Sequence, residues 1–164
     1  MSDPRISVRH AGAGDGRLLR AIRLESLADT PDAYGTTYEE SVTWSRARWR
    51  TVAAKWNYYL AECDGAVVGM ASGGYNDSHP GTHWLFGMYV TPSARGTGVA
   101  AQLVDAISEW ARGDGARSLY LHVTDSVARA RAFYEKMGFR LNGESIKMGR
   151  DPSLTLVTMV RALD

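Results

Sequence analysis

A chain of 164 residues, 45% hydrophobic and 23% charged, has the length and balance of one globular domain rather than of a disordered segment. Nineteen basic residues against eighteen acidic ones leave a net charge of +1, which argues against a nucleic-acid-binding protein. The lone Cys63 makes no internal disulfide and completes no metal cluster, so no metal is expected.

No stretch approaches ~18 consecutive apolar residues, so no membrane span is expected. Met1-Ser2-Asp3-Pro4-Arg5 lacks the apolar run of a signal peptide, and the expectation is a cytoplasmic protein. Gly and Pro mark turns rather than a linker, so residues 1–164 read as a single domain.

Ile6 to His10 alternates apolar and polar residues and reads as a first strand. Asp15 is placed to cap a helix with an apolar stripe of Leu18, Leu19, Ile22 and Leu27, ended by Thr30-Pro31-Asp32. Ser41 to Trp56 reads as a second helix. Tyr58 to Cys63 and Ala66 to Gly73 flank Asp64-Gly65, a strong hairpin signal. Thr82 to Thr91 is a fourth strand, stopped by Pro92. Gly98 to Arg112 is the clearest helix, with Val99, Leu103, Val104, Ile107, Trp110 and Ala111 on a 3.6-residue period. Ser118 to Thr124 alternates again, Leu119, Leu121 and Val123 against Tyr120, His122 and Thr124. Asp125 or Ser126 then caps a short helix ending at Gly138. Phe139 to Leu141, with room to extend toward residue 148, and Leu154 to Arg161 are the last strands. The middle hairpin implies antiparallel pairing, and the strand–helix–strand unit at 82–124 implies one parallel pair. The fold class is α/β: a mixed sheet covered by helices.

The segment Tyr89-Val90-Thr91-Pro92-Ser93-Ala94-Arg95-Gly96-Thr97-Gly98-Val99-Ala100 joins a strand to the N-terminus of the strongest helix. The first amides of a helix lack internal partners and sit at a positive dipole end. Gly96 and Gly98 let the backbone approach an anion closely, and Arg95 adds a permanent charge. Together these parts suit a phosphate or pyrophosphate; a purely structural glycine turn is the alternative. Gly12-Ala13-Gly14-Asp15-Gly16 does not compete, because Arg17 stands where a dinucleotide fingerprint needs glycine, and residues 95–100 lack the Gly-Lys-Ser/Thr of a nucleoside triphosphate loop.

Arg95-Gly96-Thr97-Gly98-Val99-Ala100, preceded by Val90 and Pro92, together with Ala130-Arg131-Ala132-Phe133-Tyr134-Glu135-Lys136-Met137-Gly138-Phe139, resembles the two signatures of the GNAT superfamily of acyl-CoA-dependent N-acetyltransferases. The element order fits along nearly the whole chain. The resemblance implies a sheet of about six to seven strands with a V-shaped splay between the fourth and fifth, helices on both faces, and acetyl-CoA as cosubstrate. The pyrophosphate would sit on the amides of Gly96, Thr97, Gly98, Val99 and Ala100, and the pantetheine arm along the strand edge at Met88, Tyr89 and Val90. Members often carry Asn seven residues before the catalytic Tyr; here that position is Val127.

Acetyl transfer needs a neutral amine, donors for an oxyanion, and a proton for the departing thiolate. A lysine-like amine with pKa ~10.4 costs about 4–5 kcal/mol to deprotonate at pH 7. The family position makes Tyr134 the proton donor, against a core tyrosine as the alternative. His122 is the base candidate, against a solvent-facing or satisfied histidine; His83 is second, and a water chain third. A backbone N–H near Tyr89 or Val90 is the oxyanion donor. By analogy the first two helices line the acceptor pocket, where Tyr34, Tyr38, Trp44, Trp49 and Trp56 cluster in sequence, although such aromatics are more often core. Glu39 and Glu40 would attract a cationic substrate or simply solvate a helix start. Cys63 reads as a buried strand-end residue and not a nucleophile.

The reading is an N-acetyltransferase acting on a primary amine by direct attack in a ternary complex. A non-catalytic acyl-CoA-binding sensor on the same fold is the alternative. The acceptor stays open between a small amine, an antibiotic, a protein N-terminus and a lysine, and the resemblance allows a homodimer.

Overall fold

A seven-stranded sheet runs through the computed structural model, which describes residues 5–164. Its strands in chain order are β1 (Ile6–His10), β2 (Tyr58–Cys63), β3 (Ala66–Tyr75), β4 (His83–Val90), β5 (Ser118–Thr124), β6 (Arg140–Met148) and β7 (Asp151–Ala162). In space they lie β1-β2-β3-β4-β5-β7-β6. Every neighbouring pair is antiparallel except β4 and β5. That parallel pair needs a crossover, supplied by α4 (Val99–Gly113). The other helices are α1 (Gly16–Asp29), α2 (Tyr38–Ser41), α3 (Arg46–Lys55) and α5 (Ala128–Lys136).

Successive strand residues face opposite sides of a sheet, and two cores result. Leu60 and Met70 pack with Leu19, Ile22 and Trp49 under α1 and α3. Their neighbours Ala61 and Ala71 pack with Val99, Leu103 and Ile107 of α4. Each large side chain buried this way stabilises by about 1.5–3 kcal/mol. Val99, Leu103, Val104, Ile107 and Ala111 therefore pin α4, and with it the turn at its N-terminus.

Several local expectations are corrected. The second helix starts later than Ser41: Ser41 is the last residue of α2, which a capping box of Thr37 and Glu40 opens, and α3 begins after Ser45, whose hydroxyl accepts from the Arg48 amide at 3.1 Å. The cap at Ser45 restarts the helix inside the run read as continuous. Asp15 stands at the N-cap of α1, but its carboxylate makes no capping bond; it is taken by Arg9 at 2.8 and 2.9 Å and by the Gly12 amide at 2.8 Å. Leu18 is exposed, and Leu24 is buried in its stead. Neither Asp125 nor Ser126 caps α5: its N-cap is Val127, and Asp125 instead pairs with Arg131 at 2.9 Å. Cys63 is half-buried rather than buried.

Two irregularities position the site. Parallel pairing of β4 with β5 stops after His83, Trp84 and Leu85 against Leu119, Tyr120 and Leu121. Beyond that point the strands part in a V. At the same place β4 carries one extra residue: Met70 faces Tyr89 and Ser72 faces Phe86. Gly87 in this bulge has φ +61, a conformation open to glycine at little cost.

Candidate active site

The turn before α4 is shaped by two left-handed glycines, Gly96 at φ +80 and Gly98 at φ +94, the latter the N-cap of the helix. A side chain added at either would meet nothing within 4 Å, so the backbone faces open space. Among the described residues the amides of Gly96 through Ala101 have no acceptor; the first helical bond is from Gln102 to the Gly98 carbonyl at 3.1 Å. Six donors without acceptors thus lie in sequence at a positive helix end. Arg95 is not free beside them. Its guanidinium donates to Asp29 at 2.7 Å and to the Val90 carbonyl at 3.1 Å.

The freed edge of β4 follows from register. Thr91 donates to the Val68 carbonyl at 2.8 Å, and main-chain groups alternate sides along an antiparallel strand. Val90, one residue earlier, therefore turns its N–H and C=O away from β3 and toward the split. Its carbonyl is occupied by Arg95 and its N–H is open. The Met88 carbonyl on the same edge accepts the Tyr34 hydroxyl at 2.9 Å.

The split opens into a cleft of about 740 Å³ that both His122 and Tyr134 line, with Val127 between them in sequence. Tyr134 is buried against Phe133 and Phe139, and burial raises its hydroxyl well above the ordinary phenol range. His122 packs on Trp84 with ring centroids 4.6 Å apart. Its pKa is lowered, first by burial and then by His79, with Glu144 opposing. A neutral imidazole at pH 7 follows. Nε2 is buried without a partner among the described residues, so no carboxylate orients the ring.

The model of the acetyltransferase (GNAT) family matches residues 19–139. The chain belongs to that family. An L-methionine sulfoximine/L-methionine sulfone acetyltransferase of Pseudomonas paraeruginosa is 25% identical over 151 residues, covering 88% of this chain and 86% of its own. An N-acetyltransferase from Staphylococcus aureus Mu50 superposes with a TM-score of 0.73 at 24% identity over 98% of this chain and 99% of its own. The yncA protein of Salmonella typhimurium, solved with its cofactor acetyl-CoA, gives 0.70 at 23% over 98% and 95%.

Within the GNAT frame the sequence-derived candidates divide. His83 is drawn away from the cleft: its Nε2 lies 2.7 Å from the Asp114 carboxylate, with Tyr75 and Trp110 stacked edge-on beside it. Of the five aromatics near the first helices, Tyr34 and Trp56 line the cleft. Trp44 and Trp49 wall a separate cavity of about 430 Å³ against α1, and Tyr38 is exposed. Glu39, Glu40 and Cys63 do not line the cleft, and among the described residues no carboxylate does; Arg23 and Lys55 do. Sequence reading missed Gly87 and Arg23. A glycine inside Phe86-Gly87-Met88 was a bulge signal. Arg23 carried none, because its place depends on how α1 crosses the sheet.

Proposed function

We propose that this chain transfers an acetyl group from acetyl-CoA to a primary amine, by direct attack in a ternary complex. Six acceptor-less amides at residues 96–101, beside a strand edge that the split leaves open, carry the reading. This cradle fits the diphosphate of the cosubstrate because both glycines face open space. The yncA protein, of the same fold, was solved with its cofactor acetyl-CoA, and the Pseudomonas relative is an L-methionine sulfoximine/L-methionine sulfone acetyltransferase.

Bound at this edge, acetyl-CoA supplies an activated thioester carbonyl. The protein's part is positioning and proton handling. Met88, Tyr89 and Val90 would hold the pantetheine arm by strand-like pairing. The Val90 N–H would donate to the carbonyl oxygen as negative charge grows there. Neutral His122 would accept the proton that the amine nitrogen sheds on attack. Tyr134, kept protonated by burial, would donate toward the departing sulfur. The same burial disfavours a bare thiolate, so donor and acceptor are raised together.

Calorimetry with acetyl-CoA and thiol release across an amine panel test the reading together. Binding accompanied by release of free thiol is expected; absence of binding overturns it. One observation favours a second reading, an acyl-CoA sensor: Val127 places an apolar side chain in the cleft where family members often carry an amide. Tight binding with no thiol release from any amine would select it.

A further inference from the structure

Arg23 is a half-buried guanidinium on α1 that faces into the cleft. Its Nη2 donates to the Thr36 hydroxyl at 2.9 Å, and the guanidinium carbon lies 5.2 Å from the Tyr34 ring centroid. Among the described residues it has no carboxylate partner, and none lines the cleft around it. One neutral hydrogen bond and one aromatic face offset only part of a guanidinium's lost hydration, and leave most of its donors and its charge available to an anion.

The position of this charge is as informative as its isolation. A side chain on Gly87 would come within 3.3 Å of both Arg23 Nη1 and the Tyr58 hydroxyl. The bulge glycine thus admits the guanidinium to the backbone of β4 just where that strand leaves β5. Tyr34, under the guanidinium, in turn donates to the Met88 carbonyl. Arg23 therefore stands beside the strand edge at which the acetyl group would be delivered.

We infer that Arg23 is the anchor for a carboxylate on the acceptor, and that the acceptors are amines bearing an adjacent carboxylate, α-amino acids above all. In an α-amino acid the nitrogen and carboxyl carbon are roughly 2.5 Å apart, so a carboxylate held by Arg23 keeps its amine at the β4 bulge. A guanidinium binds carboxylate through two parallel hydrogen bonds and so fixes direction as well as position. Polyamines and lysine-rich peptides would meet Arg23 and Lys55 with no compensating acid. The inference rests on the acetyl-transfer reading and narrows it.

The test compares L-amino acids with their carboxamides and with the corresponding decarboxylated amines, by thiol release from acetyl-CoA. Amino acids should be the preferred acceptors. Arg23→Gln should lower their kcat/KM by roughly 10- to 100-fold, mainly through KM. Arg23→Lys should recover part of the loss, acetyl-CoA affinity should be unchanged in both variants, and turnover of decarboxylated amines should not fall. Equal use of acids and amides by the native protein overturns the inference, as does an Arg23→Gln loss common to all acceptors. Transfer only to amines without a carboxylate overturns it while leaving acetyl transfer standing; transfer to nothing overturns both.

Discussion

Arg95, in the turn before α4, and Asp29, at the end of α1, form an ion pair of 2.7 Å. The same guanidinium satisfies the Val90 carbonyl, and the Tyr89 hydroxyl also donates to Asp29 at 3.2 Å. The pairing holds Asp29 below the usual carboxylate range. A charge read from the sequence as free for a diphosphate is therefore shared with a carboxylate. Both partners are about one-third exposed, so the pair is worth at most ~1 kcal/mol. Asp29→Asn should release the guanidinium and remove a repelling anion, tightening acetyl-CoA binding about two- to fivefold. Titration calorimetry reads this directly. Weaker binding would instead make Asp29 a brace for the turn.

Tyr134→Phe separates binding from chemistry. The ring fills a site between Phe133 and Phe139 that phenylalanine can occupy without a cavity. Fold and acetyl-CoA affinity should be preserved. Turnover should drop about 10- to 100-fold, short of the upper range for acid catalysis because a thiolate is only moderately basic. Steady-state kinetics beside a binding isotherm decide it; equal turnover in the two proteins removes Tyr134 from the mechanism.

Local signals carried most of the architecture. Alternation placed β1 and β5 to the residue, and Asp64-Gly65, whose two residues both have positive φ, marked the hairpin that placed β2. The 3.6-residue period marked α4, and the glycine spacing marked the turn before it. Illegible features depended on contacts distant in sequence. Asp15 holds the N-cap position of α1 as read, but Arg9 on β1 takes the carboxylate that would have made the capping bond. His83 and His122 look alike as strand histidines; Asp114 claims one, and the other turns to the cleft. β6 runs on past Leu141 to Met148, the extension the sequence allowed, because β7 offers it a partner that far.

As the proposed base, His122 would set the acid side of the pH profile. Burial and His79 lower its pKa from the ordinary value of 6.5, so it stays neutral, and able to take a proton, at a pH where a solvated histidine is already half charged. The acid limb of kcat/KM should therefore fall below pH 6.5, with activity lost only as pH drops through the lowered value. His122→Ala should abolish that limb and cut the plateau by about 100-fold. A limb that survives the substitution unchanged assigns the base elsewhere, with a water chain as the remaining route.

Asp15 offers a test of the fold apart from chemistry. Arg9 and the Gly12 amide hold its carboxyl at about 2 rather than 3.8. The folded value is depressed, so the stabilisation is complete above the unfolded pKa and is lost as pH falls through about 2. In full that linkage is about 2.5 kcal/mol. Arg9 is 40% exposed and also donates to Glu62 at 3.1 Å, so solvent screening and the second partner reduce it to about 1 kcal/mol. Asp15→Asn keeps an acceptor for the Gly12 amide and deletes only the charge. At pH 7 its thermal midpoint should fall by about 2–4 °C. The deficit should shrink below pH 4 and vanish only below pH 2, where the native carboxylate is itself protonated. A deficit that does not shrink between pH 4 and pH 2 would trace to packing around β1 and not to the ion pair.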